Sequence, residues 1–388
     1  MENRQINNYE ELKVSTATIS SNGTQFVSIG SFNYKSLIGF EFSVSRLYET
    51  QLKEVGVNSN VKIEFINIIF KNKFTFNNRK IFKQSLEFIK CYFYFIPSFG
   101  DKIFESKIKF RLCEFERIYI HNATFNEYLN FYDCLFFGKV IILKCSFNDN
   151  VVFTKSTFQS NCLFTYSNFE KLGIFSRAKF HDKDKNPTAL DLSQAIINGQ
   201  LIFFDTILGN YKAFKIDSDS KNFDKTINEG DVIPMQNKRE TFRIIKHQLL
   251  QQNNVIEAEK YDKLEKQTLL EEKELEAIFE DNVLKTFKIL FTDYFVLKLN
   301  KYSNNHKTSW LYALIFTLGV ALISHSILSI SESNDFCDGL KFIKLLNPID
   351  FSFYSDAHSG KIYTVYFLAK ISIGFGIYQL IQAFRKYR

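Results

Sequence analysis

Six residues near the C-terminal end have the types and spacing to handle an ion. Lys370 is the only formal charge in the apolar stretch 362–384. It lies eight residues in, roughly 12 Å deep if the stretch is a helix, and a charge within a membrane span is costly enough to point to function. Tyr363, Tyr366, Lys370, Gly374, Tyr378 and Gln382 follow three- and four-residue steps and so share one helical face. A face of that polarity avoids lipid, which makes it a candidate pore lining; the plainer alternative is that Lys370 snorkels or pairs with another helix. A ring of lysines favours anions, whereas Glu332, Asp335, Asp338, Asp350 and Asp356 in the preceding loop concentrate cations at a mouth. Both stay open.

A second set has the charge to hold a polyanion. Between Val61 and Arg117 there are 12 Lys or Arg against six Asp or Glu. Lys71, Lys73, Arg79, Lys80 and Lys83 come first; Lys107, Lys109, Arg111 and Arg117 follow, and stacking of repeats would align the two groups into a stripe. A positive groove with accessible aromatic rings is what sequence-tolerant binding of single strands requires, so these nine are candidate DNA contacts. The plainer alternative is a basic surface kept for solubility.

Catalysis finds no comparable constellation. The six His are scattered without an HExxH, and none of the six Cys forms a CxxC pair. Gly374-Phe-Gly376-Ile lacks the third glycine of a phosphate loop and reads as close helix packing. Asp182-x-Asp184-x-Asn186 has Pro187 where a calcium loop needs glycine and Ser193 where it needs an acid, so it reads as a solvated loop. The expectation is no enzyme, no metal and no cofactor.

The elements that must position these residues are of two kinds. Phe recurs in a fixed frame at Phe82, Phe93, Phe104, Phe115, Phe136, Phe147, Phe158, Phe169 and Phe180, with one rung slipped to Phe125, and a second series follows six residues later. Two residues before the leading Phe stands a small residue: Cys91, Cys113, Ala123, Cys134, Cys145, Ser156, Ser167 or Ala178. An 11-residue period also fits a right-handed helical supercoil. Units rich in Asn, Asp, Thr and Phe favour turns and strands instead, which predicts a β-solenoid with the Phe column and reduced Cys inside. Residues 1–58 read as a β-rich cap, 59–217 as the solenoid and 218–236 as a linker. From 237 to 282 the pattern becomes a charged helical hairpin, packed at the solenoid end or forming an oligomer neck, and 283–307 is amphipathic, suited to the headgroup layer.

Residues 310–330 carry no formal charge and, with 362–384, are long enough to span a bilayer as a hairpin within 308–388. Lys298, Lys301, His306 and Lys307 precede the first span, and Arg385, Lys386 and Arg388 follow the second, so both ends are expected on the cytoplasmic side. The polar N-terminus has no apolar core of a signal peptide, in keeping with a cytoplasmic solenoid. One hairpin cannot enclose a pore, so a pore demands an oligomer.

The small-x-Phe unit resembles the pentapeptide-repeat family. Arg239-Glu-Thr-Phe-Arg-Ile-Ile-Lys246, the entry Leu299-Asn-Lys-Tyr-Ser-Asn-Asn-His-Lys-Thr-Ser-Trp310, Leu346-Asn-Pro-Ile349 and Tyr378-Gln-Leu-Ile-Gln-Ala-Phe-Arg385 resemble the ion-channel-linked pentapeptide-repeat proteins of bacteria, among them anti-phage membrane effectors. The resemblance implies a mixed fold: a right-handed cytoplasmic β-solenoid crown, a helical hairpin and an α-helical two-span domain in the bacterial inner membrane. It further implies a homo-oligomer, tetramer favoured, held closed by single-stranded oligodeoxynucleotide, oligo-dA above all, made by a partner nucleotidyltransferase. The competing expectation is a membrane-anchored scaffold whose solenoid binds a protein.

Overall fold

The computed structural model describes residues 4–12, 14–19, 24–30, 36–52, 61–76, 80–95, 97–216, 230, 232–279, 284, 286, 287, 290–331, 339–350 and 360–385. The chain divides into two compact units, Met1–Gln252 and Asn253–Arg388. Arg79, most of the expected linker, the acidic residues Glu332, Asp335, Asp338 and Asp356, and the terminal Lys386 and Arg388 lie outside the described residues.

The first unit is a solenoid of stacked, mostly parallel strands. Within the ladder each turn visits four walls in the same order. Sheet III runs through Ile81–Phe82 and Ile103–Phe104, sheet II through Ser85–Ile89 and Ile108–Arg111, sheet I through Tyr92–Phe93 and Glu114–Phe115, and sheet IV through Ile118–His121 and Val140–Leu143. Phe88 pairs in register with Phe110, which pairs with Phe131. Stacked partners therefore come from every second rung of the ladder, and successive rungs fall on different walls. Phe93, Phe115, Phe136, Phe158 and Phe180 share sheet I; Phe82, Phe104, Phe125, Phe147 and Phe169 share sheet III. The slipped Phe125 lies in line with Phe104 and Phe147, so the slip is absorbed between walls.

The rings stack because the strands do. Along sheet II successive Phe centroids from Phe65 to Phe203 are 4.8 to 5.3 Å apart with planes within 12°, close to the spacing of neighbouring strands. All of these rings are buried. The small residue before each Phe does more than leave room, since several of them donate to a carbonyl one turn back. Cys113 Sγ donates to Phe88 O (3.4 Å), Cys134 Sγ to Phe110 O (3.5 Å) and Ser156 Oγ to Phe131 O (2.7 Å). The five described Cys are free and buried, as the sequence predicts, and burial pushes the Cys91, Cys113 and Cys162 thiols well up. They are core groups, not nucleophiles.

The stretch expected as a β-rich cap, residues 1–58, contributes strands that pair directly with the solenoid sheets. Arg4–Ile6 and Ser36–Ile38 are the first strands of sheet I, while Val14–Ile19 and Thr24–Gly30 open sheet II as its one antiparallel pair among the described residues. At the other end helix α1, Met235–Gln251, closes the stack. Phe242, Ile245 and Leu249 are buried, and its polar residues occupy groups that a terminal strand leaves unpaired. Thr241 Oγ1 accepts from Leu192 N (3.0 Å), Gln248 Oε1 accepts from Leu201 N (2.8 Å), and Gln252 Nε2 donates to Leu201 O (2.7 Å). The expected hairpin of 237–282 is therefore divided, because α1 belongs to the solenoid.

The second unit is helical: α2, Val255–Phe279; α3, Phe295–Asn304; α4, Trp310–Ser331; α5, Gly339–Leu346; and α6, Gly360–Phe384. Trp310–Ile330 and Ile362–Phe384 are long and apolar enough to cross a membrane, and only 22% and 33% of their most apolar stretches are buried within the chain. Helices α4 and α6 run antiparallel, with Trp310 stacked on Phe384 at 5.9 Å and Phe316 against Phe375 at 6.1 Å. At Gly376 an added Cβ would come within 2.3 Å of Thr317 Oγ1. The close approach read from Gly374-Phe-Gly376 belongs to Gly376 alone, since nothing lies within 4 Å of a Cβ at Gly374.

Candidate functional site

Helix α5 is the element that the sequence conceals. It is eight residues long, about 12 Å, and it lies in the segment joining the two long apolar helices. Its Leu345 is fully buried in a cluster with Ala321 and Leu328 of α4 and Tyr366, Ala369 and Ile373 of α6. Ala321 and Ile373 are central in their helices, so α5 dips between them rather than resting on their ends.

What holds it there is Lys370. The last carbonyls of a helix have no partner within it and carry partial negative charge. The Lys370 ammonium, with three donors, donates to Lys344 O (2.7 Å), Leu345 O (3.2 Å) and Asn347 O (2.5 Å). Its nitrogen lies 5.2 Å from the Tyr366 ring centroid, and Tyr366 Oη donates to Asp350 O (3.2 Å). Lys370 and Tyr366 are thus buried, 6% and 3% exposed. The remaining members of the predicted face part from them. Tyr363 and Gly374 are half-buried, while Tyr378 is exposed and accepts on Oη from Gln382 Nε2 (2.7 Å). The structure brings Tyr366 and Lys370 together and leaves Tyr378 and Gln382 as a separate pair.

The opposite end of α6 carries a polar clasp that the six-residue face missed by one position. Gln379, buried among helices, donates through Nε2 to Asn300 Oδ1 of α3 (3.1 Å) and accepts from Asn304 Nδ2. On its other side α3 is tied to α2 through Lys298 Nζ and Glu274 Oε1 at 2.9 Å. In the turn between α3 and α4, His306 is buried and neither ring nitrogen has a hydrogen-bond partner. Burial, reinforced by the charges of Lys266, Lys263 and Lys301, brings its pKa down to about 4. His306 is therefore neutral near pH 7 and drops out of the positive flank counted from the sequence.

In the solenoid the eight described candidate cations do not form one stripe. Lys71 follows the sheet I strand Ile68–Phe70; Lys80 and Lys83 flank Ile81–Phe82 on sheet III; Lys109 and Arg111 face outward from sheet II; Arg117 precedes sheet IV; and Lys107 lies at the corner between sheets III and II. Clustering in sequence spreads them around a turn. Several are engaged: Lys73 lies 3.7 Å from Glu41, Lys83 3.5 Å from Glu105 and Arg111 3.5 Å from Glu87. Burial raises the Glu87 carboxyl, but the Lys62 hydrogen bond and the charges of Lys62, Lys109 and Arg111 outweigh it and hold the pKa below the usual value. Where cations do stack is a groove of about 690 Å³ lined by Lys80, Lys102, Gly100, Asp101, Asn122 and Thr124. Lys102 was missed because its neighbour Lys80 is a full turn away in sequence and one strand away in space.

Among the described residues no group of three or more His, Cys, Asp or Glu is placed to hold a metal ion. The Asp182 carboxylate accepts from Asn186 N (2.8 Å) and Asn186 Nδ2 (2.9 Å), closing its own loop. The chain is thus a parallel β-solenoid followed by helices, two of them candidate membrane spans with a third short helix held between them. No protein-family model, curated protein or solved structure matches it.

Proposed function

We propose that the chain is a ligand-gated membrane ion channel, an effector of bacterial anti-phage defence. The observation that carries this reading is α5: a helix end and the turn after it packed deep between two apolar spans. Non-helical backbone at membrane depth is tolerated only where protein buries it or it lines a water-filled path, and a short half-helix at such depth is how ion and substrate sites are built. A single hairpin cannot surround a path, so the channel is a homo-oligomer, with a tetramer favoured. The solenoid forms a right-handed, pentapeptide-like cytoplasmic crown, and the spans sit in the inner membrane.

The ligand and its source come from resemblance: the layout is similar to that of protein A, the membrane effector of the Hailong anti-phage system. On that reading single-stranded oligodeoxynucleotide, oligo-dA above all, is made by a partner nucleotidyltransferase and holds the channel closed. Its loss opens the pore and arrests growth. The Lys80 and Lys102 groove supports an anionic ligand, and the clasp at Gln379 gives α3 a grip on α6. Gating requires only that the ligand bind the closed arrangement more tightly.

The competing reading, a membrane-anchored scaffold that binds a protein and performs no catalysis, draws support from the ion-paired cations of the crown. Flux measurements separate the two. Liposomes holding the purified chain should leak ions, and added oligo-dA should slow the leak. Flux indifferent to oligonucleotide removes the gating ligand, and absence of flux leaves the scaffold.

A further inference from the structure

Lys370 is more than an anchor for α5. A helix whose C-terminal end reaches into a membrane normally presents about half a negative charge there, a field that attracts cations. Here the three carbonyl bonds of Lys370 satisfy that end and its unit charge exceeds the half charge of the helix terminus, while the Asp350 carboxylate is near enough to act on the same ammonium. The helix adds two more cations, Lys341 and the exposed Lys344, whose charge lies in the last turn. Among the described residues of 339–350, Asp350 is the only acid. Lys370 and Lys344 thus both stand at the helix end whose own charge the first of them cancels, against the one carboxylate of Asp350.

Resting on the channel reading, we infer that the α5 and Lys370 element makes the membrane path select small inorganic anions over cations, with Lys370 and Lys344 as the residues that set the preference. Lys370 acts by reversing the sign of the helix end, and Lys344 by charge alone. The inward-dipping helix is therefore an anion site built from an element whose bare form would favour cations.

The experiment is a reversal-potential measurement in planar bilayers across a KCl gradient, using the purified full chain. Wild type should reverse on the chloride side. Lys370→Gln should move the chloride-to-potassium permeability ratio toward potassium by up to about a hundredfold, because for an ion passing roughly 12 Å from the ammonium a unit charge at an effective dielectric of about 20 is worth about tenfold for the anion and about tenfold in the opposite sense for the cation. Lys370→Arg should keep the wild-type ratio. If Lys370→Gln does not assemble, Lys344→Gln, which leaves the carbonyl bonds intact, should shift the ratio in the same direction. A wild-type current that prefers potassium overturns the inference, as does an unchanged ratio in both glutamine variants. A wild type that passes no current overturns the channel reading itself, a result distinguishable from a current of the wrong selectivity.

Discussion

His306 shows how far one side chain's surroundings can be read as a pH response. Its pKa falls from the usual 6.5 to about 4 on folding, so the unfolded chain takes up a proton first as pH drops. Stability is fully present above about pH 6.5 and is lost as pH falls toward 4, by at most about 1.4 kcal/mol per unit. Melting curves in detergent between pH 7 and 4.5 should show that slope in wild type and a flatter one in His306→Phe; equal slopes would refute it. A different contrast holds in the solenoid core. Phe110 is stacked between Phe88 and Phe131 at 4.8 and 4.9 Å, so Phe110→Ala should cost about 3 to 5 kcal/mol. Cys134→Ser should stay within about 1 kcal/mol, because Ser156 already makes the corresponding hydrogen bond one turn on. Denaturant titration of the three proteins reads both numbers. The Phe column was legible in the sequence because each ring recurs at a fixed step; the partners of Lys370 were not, since backbone carbonyls leave no residue signature.

At the scale of elements, the two apolar helices were legible from length and composition, and their contact was not. The motif Gly374-Phe-Gly376 announces close packing without saying which glycine provides it. Gly376→Val would place side-chain atoms against Thr317 and should separate α4 from α6, whereas Gly374→Ala meets nothing within 4 Å and should be silent. Engineered cysteines across the two helices, cross-linking in wild type and Gly374→Ala but not in Gly376→Val, check this; equal cross-linking in all three would refute it. Helix α5 was not legible as a helix: from sequence the connection from 331 to 361 either faces outside or re-enters the membrane, and the burial of Leu345 against both long helices is what shows it packed there. Helix α1 was legible as a helix. Packing at the solenoid end was one of the two places the sequence left open for it; the bonds it makes were not legible, because Thr241 and Gln248 accept from edge amides that become unpaired only where the strands stop.

For the whole molecule, order of parts was legible and spatial grouping was not. Nine cations close in sequence suggested a stripe, but each turn of the solenoid visits four walls, so neighbours within one turn disperse while Lys80 and Lys102 meet. The same geometry accommodates the polar insertion after Phe180. Strand partners there lie six positions farther apart in sequence than those of the turn before, as from Lys179 to Ile207, and the extra residues loop out between His181 and Pro187. Because rungs of the ladder alternate between opposite walls, the solenoid has a parity that its sequence lacks. Removing one whole turn, two rungs, shortens the crown by one strand spacing, about 4.8 Å, and returns everything beyond the cut to its own wall. Removing a single rung leaves the Phe series just as regular on paper, yet carries every later outward side chain to the far side.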